Sequence, residues 1–364
     1  MSSGPEPALR SSPRGGRRSS VIGNASADLH PAYFALVMAT GIVSLAASIQ
    51  GFGSLAIAMV WLNAMFFVVL WLLTLLRIAR HRARVLADLS DHNRSVGFFT
   101  MVPAACVLGT QMLLISHIPA AAWGLWVLGV TLWALLTYGV FATLIVKSSK
   151  PALADGLNGG WLVSIVATQS VSVLASQLAG HAGTRGDWLL FVGLVMWLGG
   201  AMLYVWIISL IFYRYLFFPF KPSDLAPPYW INMGAMAIST LAGATLLLAG
   251  AQSPAIQSMI PFVRGATLLF WATATWWIPM LLILGVWRHV IRKFPLRYDP
   301  LYWGAVFPLG MYSAATARMN TALELRFLSA VPVVAFYVAM CAWTLAVLGL
   351  CHRLFAQTLR PRSV

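Results

Sequence analysis

Ten apolar segments follow one another along the chain, and each is long enough to cross a membrane. A helix needs about 20 predominantly apolar residues to span the hydrocarbon core of a bilayer. The short alternating segments typical of a transmembrane β-barrel are absent from the sequence. The pattern therefore predicts an all-α integral membrane protein with ten transmembrane helices, placed at about 32–50, 54–76, 95–116, 120–146, 156–180, 187–212, 228–250, 262–287, 301–319 and 327–352.

These segments alternate in character. The even-numbered ones are bulky and hold 13 of the 16 tryptophans, whereas the odd-numbered ones are rich in Gly, Ser and Thr with polar residues at mid-span. Hydroxyl and amide groups in hydrocarbon need partners or water, so we expect the odd helices inside and the even ones outside. A second interpretation is that the small residues only allow helices to pack closely.

The odd segments recur at nearly regular intervals, which indicates internal repetition. They begin near 32, 95, 156, 228 and 301, and the loop from each odd segment to the next even one is short. A short loop makes the two helices antiparallel neighbours, so the repeating element is a helical hairpin. The sequence predicts five helical hairpins in a quasi-fivefold ring around a central pore.

Basic residues fix the predicted orientation. The formal net charge is +15, and 20 Lys and Arg residues fall on the side of the chain termini against four on the opposite side. This bias follows the positive-inside rule and predicts a multi-pass protein of the cell (inner, cytoplasmic) membrane with both termini in the cytoplasm. The charge is therefore a topological signal and a contact for membrane lipid, and it does not indicate nucleic acid binding.

Three parts are expected along the chain: a disordered basic cytoplasmic tail at 1–30, a transmembrane domain at 31–355 and a short cytoplasmic tail at 356–364. The tail composition, Arg among Ser, Gly and Pro, is typical of disorder. The three cysteines show no ligand-type spacing, so we expect no metal site, and we expect no cofactor.

Acidic side chains are missing where cation transport would need them. All nine lie in tails, loops or segment ends, whereas proton relays and cation sites place a carboxylate at mid-membrane. No phosphate-binding Gly-Lys-Ser/Thr pattern is present. An intramembrane enzyme lacks a candidate cluster of catalytic groups, and a receptor or structural protein does not need recurrent polar centres. The sequence favours an anion pathway.

Two motifs resemble the tellurite-resistance/dicarboxylate transporter family. The first runs from His30-Pro31 to Gly41-Ile42-Val43-Ser44, and the second is Tyr302-Trp303-Gly304-Ala305-Val306-Phe307-Pro308-Leu309-Gly310. This family includes bacterial tellurite-resistance proteins, fungal malate permeases, sulfite exporters and plant slow anion channels. The resemblance implies odd helices that line a central pore, a pore-plugging role for Phe307 and a homotrimer.

The candidate site residues combine this resemblance with the mid-span polar and small positions. Phe307 is the expected pore gate, and Pro103 and Pro308 are the expected helix kinks, where a missing N–H weakens the helix. The predicted cargo is a small organic or inorganic anion, a C4-dicarboxylate such as malate first, with tellurite or sulfite efflux as the alternative. Channel-like permeation is favoured over a carrier because no substrate-binding charge is recognised in the path. The predicted pore-lining residues are Thr40, Gly41, Ser44, Gly109, Thr110, Ser164, Thr168 and Ser313.

Overall fold

The computed structural model describes residues 27, 29–251, 253–296 and 298–359. Most of the tail predicted at 1–30 lies outside the described residues, as does the end of the chain after Leu359. Within the described part the protein is all-helical and forms no β-strand. Its long helices are α1 Ala35–Ile49, α2 Gly53–Leu89, α3 Met101–Leu114, α4 Pro119–Val146, α5 Val163–Leu178, α6 Gly186–Phe217, α7 Ile231–Gly250, α8 Ile260–Val286, α9 Trp303–Leu323 and α10 Ala330–Leu359.

A 3₁₀ turn leads directly into each odd-numbered helix. Proline opens several of these turns, because a helix start needs no N–H donor there. Side chains cap three of them: His30, Asn158 and Asp299 each accept a hydrogen bond from the backbone N–H two residues later. The five turns are Pro31–Phe34, Ser95–Thr100, Gly159–Leu162, Pro227–Trp230 and Pro300–Tyr302.

Nine of the described helices, together with their entry turns, are long and apolar enough to cross a membrane. The remaining long helix, α9, contains polar residues that include Arg318 and Asn320. It nevertheless packs against α1, α7 and α10 and is largely buried over its first four turns. The chain is therefore a multi-pass helical membrane protein.

Burial divides the helices into an inner and an outer set. In an apolar 18-residue stretch of each span, between 78% and 100% of the residues are buried inside the protein for the spans of α1, α3, α5 and α7, whereas for α2, α4, α6, α8 and α10 the share is 17–33%. The outer helices present large apolar side chains such as Trp61, Leu135 and Phe191 to the surroundings. Such a surface is suited to hydrocarbon, and the small-residue helices are the inner ones.

The inner helices contact one another in cyclic order. Each odd helix packs against the next odd helix, and α9 packs against α1. Each even helix packs against the odd helix of its own hairpin and also touches the next odd helix along the chain, with α10 touching α1. The same set of neighbours therefore recurs for every hairpin.

Side-chain hydrogen bonds join each hairpin to the next one. At all five junctions a side chain in the middle of an even helix donates to the following odd helix. In hydrocarbon these donors would otherwise lack any partner. Five of the inter-hairpin bonds, one at each junction, run from Asn63 Nδ2 to Gln111 Oε1 (2.7 Å), Trp133 Nε1 to Thr168 Oγ1 (2.9 Å), Trp197 Nε1 to the Ser239 carbonyl (2.8 Å), Trp271 Nε1 to Thr316 Oγ1 (3.0 Å) and Trp343 Nε1 to Thr40 Oγ1 (3.0 Å).

A second group of bonds holds three of the hairpins together internally. A serine of the odd helix donates to a backbone carbonyl of the even helix that follows it. These intra-hairpin bonds run from Ser44 to Ala56 (2.9 Å), from Ser172 to Gly193 (2.6 Å) and from Ser313 to Pro332 (2.6 Å).

The bond between Thr40 and Trp343 closes the bundle, since it joins the first helix to the last. We expect Thr40→Val and Trp343→Phe each to lower the free energy of unfolding by about 1 kcal/mol, the scale of a side-chain hydrogen bond between membrane helices. Because the two changes remove the same hydrogen bond, the double variant should lose clearly less free energy of unfolding than the sum of the two single losses.

Unfolding of the four proteins in detergent measures this coupling. Thr344→Val is the matched control, because Thr344 is exposed and donates only to the Met340 carbonyl of its own helix. Strictly additive losses from Thr40→Val and Trp343→Phe would show that the bond does not hold the two helices together.

Candidate functional site

A cavity of about 330 Å³ lies where the five odd helices begin. Every entry turn or first helical turn contributes to its wall, for example Ala35, Val96, Gly160, Pro228 and Gly304. We call this cavity the vestibule. It lies at the end of the bundle that carries the basic loops.

Two arginines, Arg94 and Arg214, line the vestibule together with two carboxylates, Asp155 and Asp224. Burial, and after it the charge of Arg94, lowers the pKa of His30, so this residue at the vestibule wall is neutral at pH 7. Among the described residues no three His, Cys, Asp or Glu side chains are grouped as metal ligands would be. The positive charge of the wall therefore comes from the two arginines.

Arg94 is already paired. Its Nε lies 2.5 Å from Asp88 Oδ1, and Asp88 Oδ2 also accepts a hydrogen bond from the buried Arg77 at 2.8 Å. This shared carboxylate ties the end of α2 to the segment that enters α3. Part of the charge of Arg94 is therefore balanced within the protein.

Arg214 is in a different situation. It lies in the last turn of α6, its residue is 8% exposed, and it is the one vestibule-lining residue that comes from an even helix among those described. Its Nη1 donates to the Tyr229 hydroxyl, and its guanidinium carbon lies 5.4 Å from the centre of the Phe220 ring. Within the described residues no carboxylate oxygen lies within 4.0 Å of it, and its Nε has no partner.

A second, much smaller cavity of about 20 Å³ lies deeper on the same axis. All five odd helices contribute to this inner cavity, and its volume is enough for about one water molecule. On three of the helices, a residue that lines the vestibule is followed one helical turn later by a residue that lines the inner cavity. These pairs are Met38 and Ile42, Val166 and Ser170, and Phe307 and Met311.

Phe307 lies at the deep end of the vestibule and is 1% exposed. Its helix is wedged between two neighbours. A Cβ atom on Gly234 of α7 would lie 2.7 Å from Pro308 Cγ, and a Cβ atom on Gly310 would lie 2.9 Å from Ile42 Cγ2 of α1. The backbone around Phe307 is thus confined on both sides.

The hydroxyl groups predicted at the pore lie in two different places. Thr110 lines the inner cavity. Thr40 and Thr168 accept inter-hairpin bonds from tryptophans, and Ser44 and Ser313 donate the intra-hairpin bonds described above. Those four side chains are directed to neighbouring helices and line neither cavity.

The remaining small residues also meet protein neighbours. A Cβ atom on Gly41 would lie 2.5 Å from Val107 Cγ1, and one on Gly109 would lie 2.6 Å from Leu174 Cδ2. Ser164 donates to the Trp161 carbonyl of its own entry turn. These positions allow close packing, which the sequence presented as an alternative role for small residues.

The two prolines expected at kinks occupy different positions. Pro103 lies in the first turn of α3, immediately after the change from a 3₁₀ turn to an α-helix. Pro308 lies inside α9, which continues as one helix from Trp303 to Leu323. The kinks themselves stay a prediction.

Sequence reasoning missed Arg214 and the apolar residues Met38, Ile42, Val166 and Met311. Arg214 was counted among the basic loop residues because the predicted sixth segment ended at 212, whereas α6 continues to Phe217. A signal was present, since Arg214 stands within the aromatic run Phe212-Tyr213-Arg214-Tyr215. An arginine inside such a run is a candidate functional residue, because a charge within a membrane segment is costly to keep.

Comparison with known proteins gives a consistent result. The chain matches the model of the SLAC1 family, described as a voltage-dependent anion channel, over residues 28–351. It is 26% identical over 294 residues to an uncharacterized transporter of Methanocaldococcus jannaschii, which covers 79% of this chain and 82% of the relative. It is 40% identical over 155 residues to an uncharacterized membrane protein of Mycobacterium tuberculosis, covering 42% of this chain and 78% of the relative.

The family match covers nearly the whole described chain, from the entry turn of α1 into α10. It includes all five hairpins, the vestibule and the inner cavity. The resemblance carried by the segments around Gly41 and Phe307 is therefore confirmed, and the chain belongs to the SLAC1 family, the tellurite-resistance/dicarboxylate transporter family of anion channels and transporters.

Proposed function

We propose that the protein moves small anions across the cell membrane along the axis of its odd helices. The observation that carries this proposal is the pair of cavities on that axis, to which all five odd helices contribute. One helical turn separates them, and Phe307 lies at that level. A wide entrance, an apolar constriction and a second space in line are the parts of a gated pathway.

In this proposal all ten long helices cross the membrane, as five hairpins in a quasi-fivefold ring. The cyclic contacts of the odd helices and the recurrence of one inter-hairpin bond at every junction support it. The polar character of α9 fits an inner helix, because its neighbours shield it from lipid. The positive-inside bias supports cytoplasmic termini and a cytoplasmic vestibule. We propose a homotrimer on the basis of the family resemblance alone.

Phe307 is proposed as the gate. It shares its level with Met38 and Val166, so the path is apolar there, and water and ions avoid a narrow apolar constriction. Rotation of the ring would widen the path without movement of the confined backbone. Pro103 and Pro308 are proposed as kinks of their helices.

The proposed cargo is a small anion, first a C4-dicarboxylate such as malate, with tellurite or sulfite efflux as the alternative within the same family. The vestibule volume of about 330 Å³ has room for any of them. Channel-like permeation was expected because no binding charge was recognised in the path. Arg214 provides such a charge at the entrance, so the presence of a binding charge no longer favours a channel over a carrier.

Flux into proteoliposomes tests the function. We expect malate, sulfite, tellurite or chloride to enter vesicles that contain the protein faster than protein-free vesicles, because the axis offers an anion path. Flux independent of a proton gradient supports a channel, and strict malate–proton symport supports a carrier. The proposed sidedness is read in the same preparation, from labelling of Lys150→Cys by an impermeant thiol reagent only when the vestibule side faces outward.

The proposal fails if none of the four anions moves faster than in protein-free vesicles while the protein remains folded and inserted. Labelling of Lys150→Cys from the extracellular side of intact cells would contradict the orientation.

Phe307→Ala tests the gate. Removal of the ring should raise anion flux about tenfold, which corresponds to a barrier lowered by about 1.4 kcal/mol. The matched control is Phe191→Ala, since Phe191 is 54% exposed on the outer surface of α6 and lies away from the axis. The measurement is the initial rate of anion uptake at equal amounts of inserted protein.

An unchanged rate in folded Phe307→Ala would exclude the gate. An equal increase in Phe191→Ala would also exclude it, because it would indicate a general leak rather than an opened path.

A further inference from the structure

Arg214 is a buried charge of the vestibule without an ionic partner within 4.0 Å among the described residues. Its residue is 8% exposed, so most of its surface is withdrawn from water. A buried cation is costly unless a counter-charge or hydrogen-bond acceptors compensate for it. In the described part of the chain its contacts are a neutral hydroxyl and an aromatic ring, and no carboxylate oxygen lies within 4.0 Å. An anion in the vestibule would supply the missing counter-charge.

The side chain is also held in position. Tyr229, which accepts from its Nη1, lies against the entry turn of α5, because a Cβ atom on Gly159 would lie 2.7 Å from Tyr229 Cα. The Tyr215 ring packs against the Tyr229 ring, with ring centres 5.3 Å apart, and Tyr215 accepts a hydrogen bond from Asn232 of α7 at 3.1 Å. The hydroxyl that receives the guanidinium is therefore held by its surroundings, and a preorganised group loses little freedom on binding.

Arg94 does not offer the same opportunity, although it lines the same cavity. Asp88 accepts hydrogen bonds from both its Nε (2.5 Å) and its Nη2 (3.2 Å), so much of its bonding capacity is already used. Arg214 has no carboxylate oxygen within 4.0 Å among the described residues. The carboxylates of Asp155 and Asp224 at the wall repel anions, so an anion is attracted to the arginine that no carboxylate pairs.

We infer that Arg214 is the anion-binding residue of the vestibule and that it selects oxyanions, carboxylates first, over halides of the same charge. This inference rests on the proposed function and names its substrate class. A guanidinium presents several directed N–H donors in one plane, which match the oxygen atoms of a carboxylate. A spherical halide can use the charge but not this geometry.

Three variants test the inference. Arg214→Gln removes the charge, Arg214→Lys keeps the charge without the planar group, and Arg80→Gln is the matched control. Arg80 is an exposed residue of α2 on the same basic side of the protein, so its loss changes the surface charge by the same amount. For each protein the half-saturation concentration is measured for malate and for chloride flux in proteoliposomes.

Arg214→Gln should raise the half-saturation concentration for malate about tenfold or more, the scale of one lost charge-assisted hydrogen bond. In Arg214→Lys the half-saturation concentration for chloride should stay within about twofold of the original value, whereas the value for malate should remain severalfold higher. Arg80→Gln should leave both values unchanged.

Thermal unfolding in detergent provides a second readout. Malate should stabilise the original protein and Arg80→Gln, and it should not stabilise Arg214→Gln. In low-salt buffer without malate, Arg214→Gln should be at least as stable as the original protein, because an uncompensated buried charge has been removed. A purely structural role for Arg214 predicts the opposite, a lower melting temperature.

A malate half-saturation concentration within twofold of the original value in Arg214→Gln overturns the binding role, as does an equal shift in Arg80→Gln. Equal shifts for malate and chloride that Arg214→Lys fully restores overturn the oxyanion preference. If the original protein moves no anion at all, the proposed transport function fails instead. The malate-induced stabilisation then still decides whether Arg214 binds a carboxylate, and Arg214→Lys serves if Arg214→Gln does not fold.

Discussion

The bilayer obliges the inner helices to satisfy their polar side chains within the protein, and most other features of the structure follow from this. Thr40, Thr168 and Thr316 accept hydrogen bonds from tryptophans of outer helices, and Gln111 accepts one from Asn63. Each bond joins two hairpins at mid-span. Hydrocarbon around the outer helices offers no competing hydrogen-bond partner, so this one arrangement is preferred. The bonds therefore fix how each inner helix is rotated.

That rotation determines the character of the axis. With their hydroxyls directed to neighbouring helices, the odd helices turn residues such as Met38, Ile42, Val166 and Met311 toward the centre. The stretch between the two cavities is therefore apolar, and Phe307 lies at that level. In the proposed pathway, selectivity for a charged cargo would arise at the ends, and Arg214 lies at the end where the cavity is large.

Much of the fold could be predicted because lipid imposes strong patterns on sequence. The segments, the hairpins and the separation into inner and outer helices follow from length, tryptophan placement and the small residues of helices such as α5. The facing of those inner helices could not be predicted. All sides of α3 and α5 are buried, so no polar face marks the solvent side, and periodicity alone cannot separate the pore from a helix contact. Arg214 was missed because the predicted sixth segment ended at 212, whereas α6 continues to Phe217.

Cysteine accessibility along α9 shows whether anions follow the apolar axis. Met311 lines the inner cavity, whereas Ser313 is bonded to the Pro332 carbonyl of α10. In Phe307→Ala protein without its native cysteines, a negatively charged thiol reagent should block anion flux through Met311→Cys and leave Ser313→Cys unaffected. Block of Ser313→Cys with Met311→Cys unaffected would show that anions do not follow this axis.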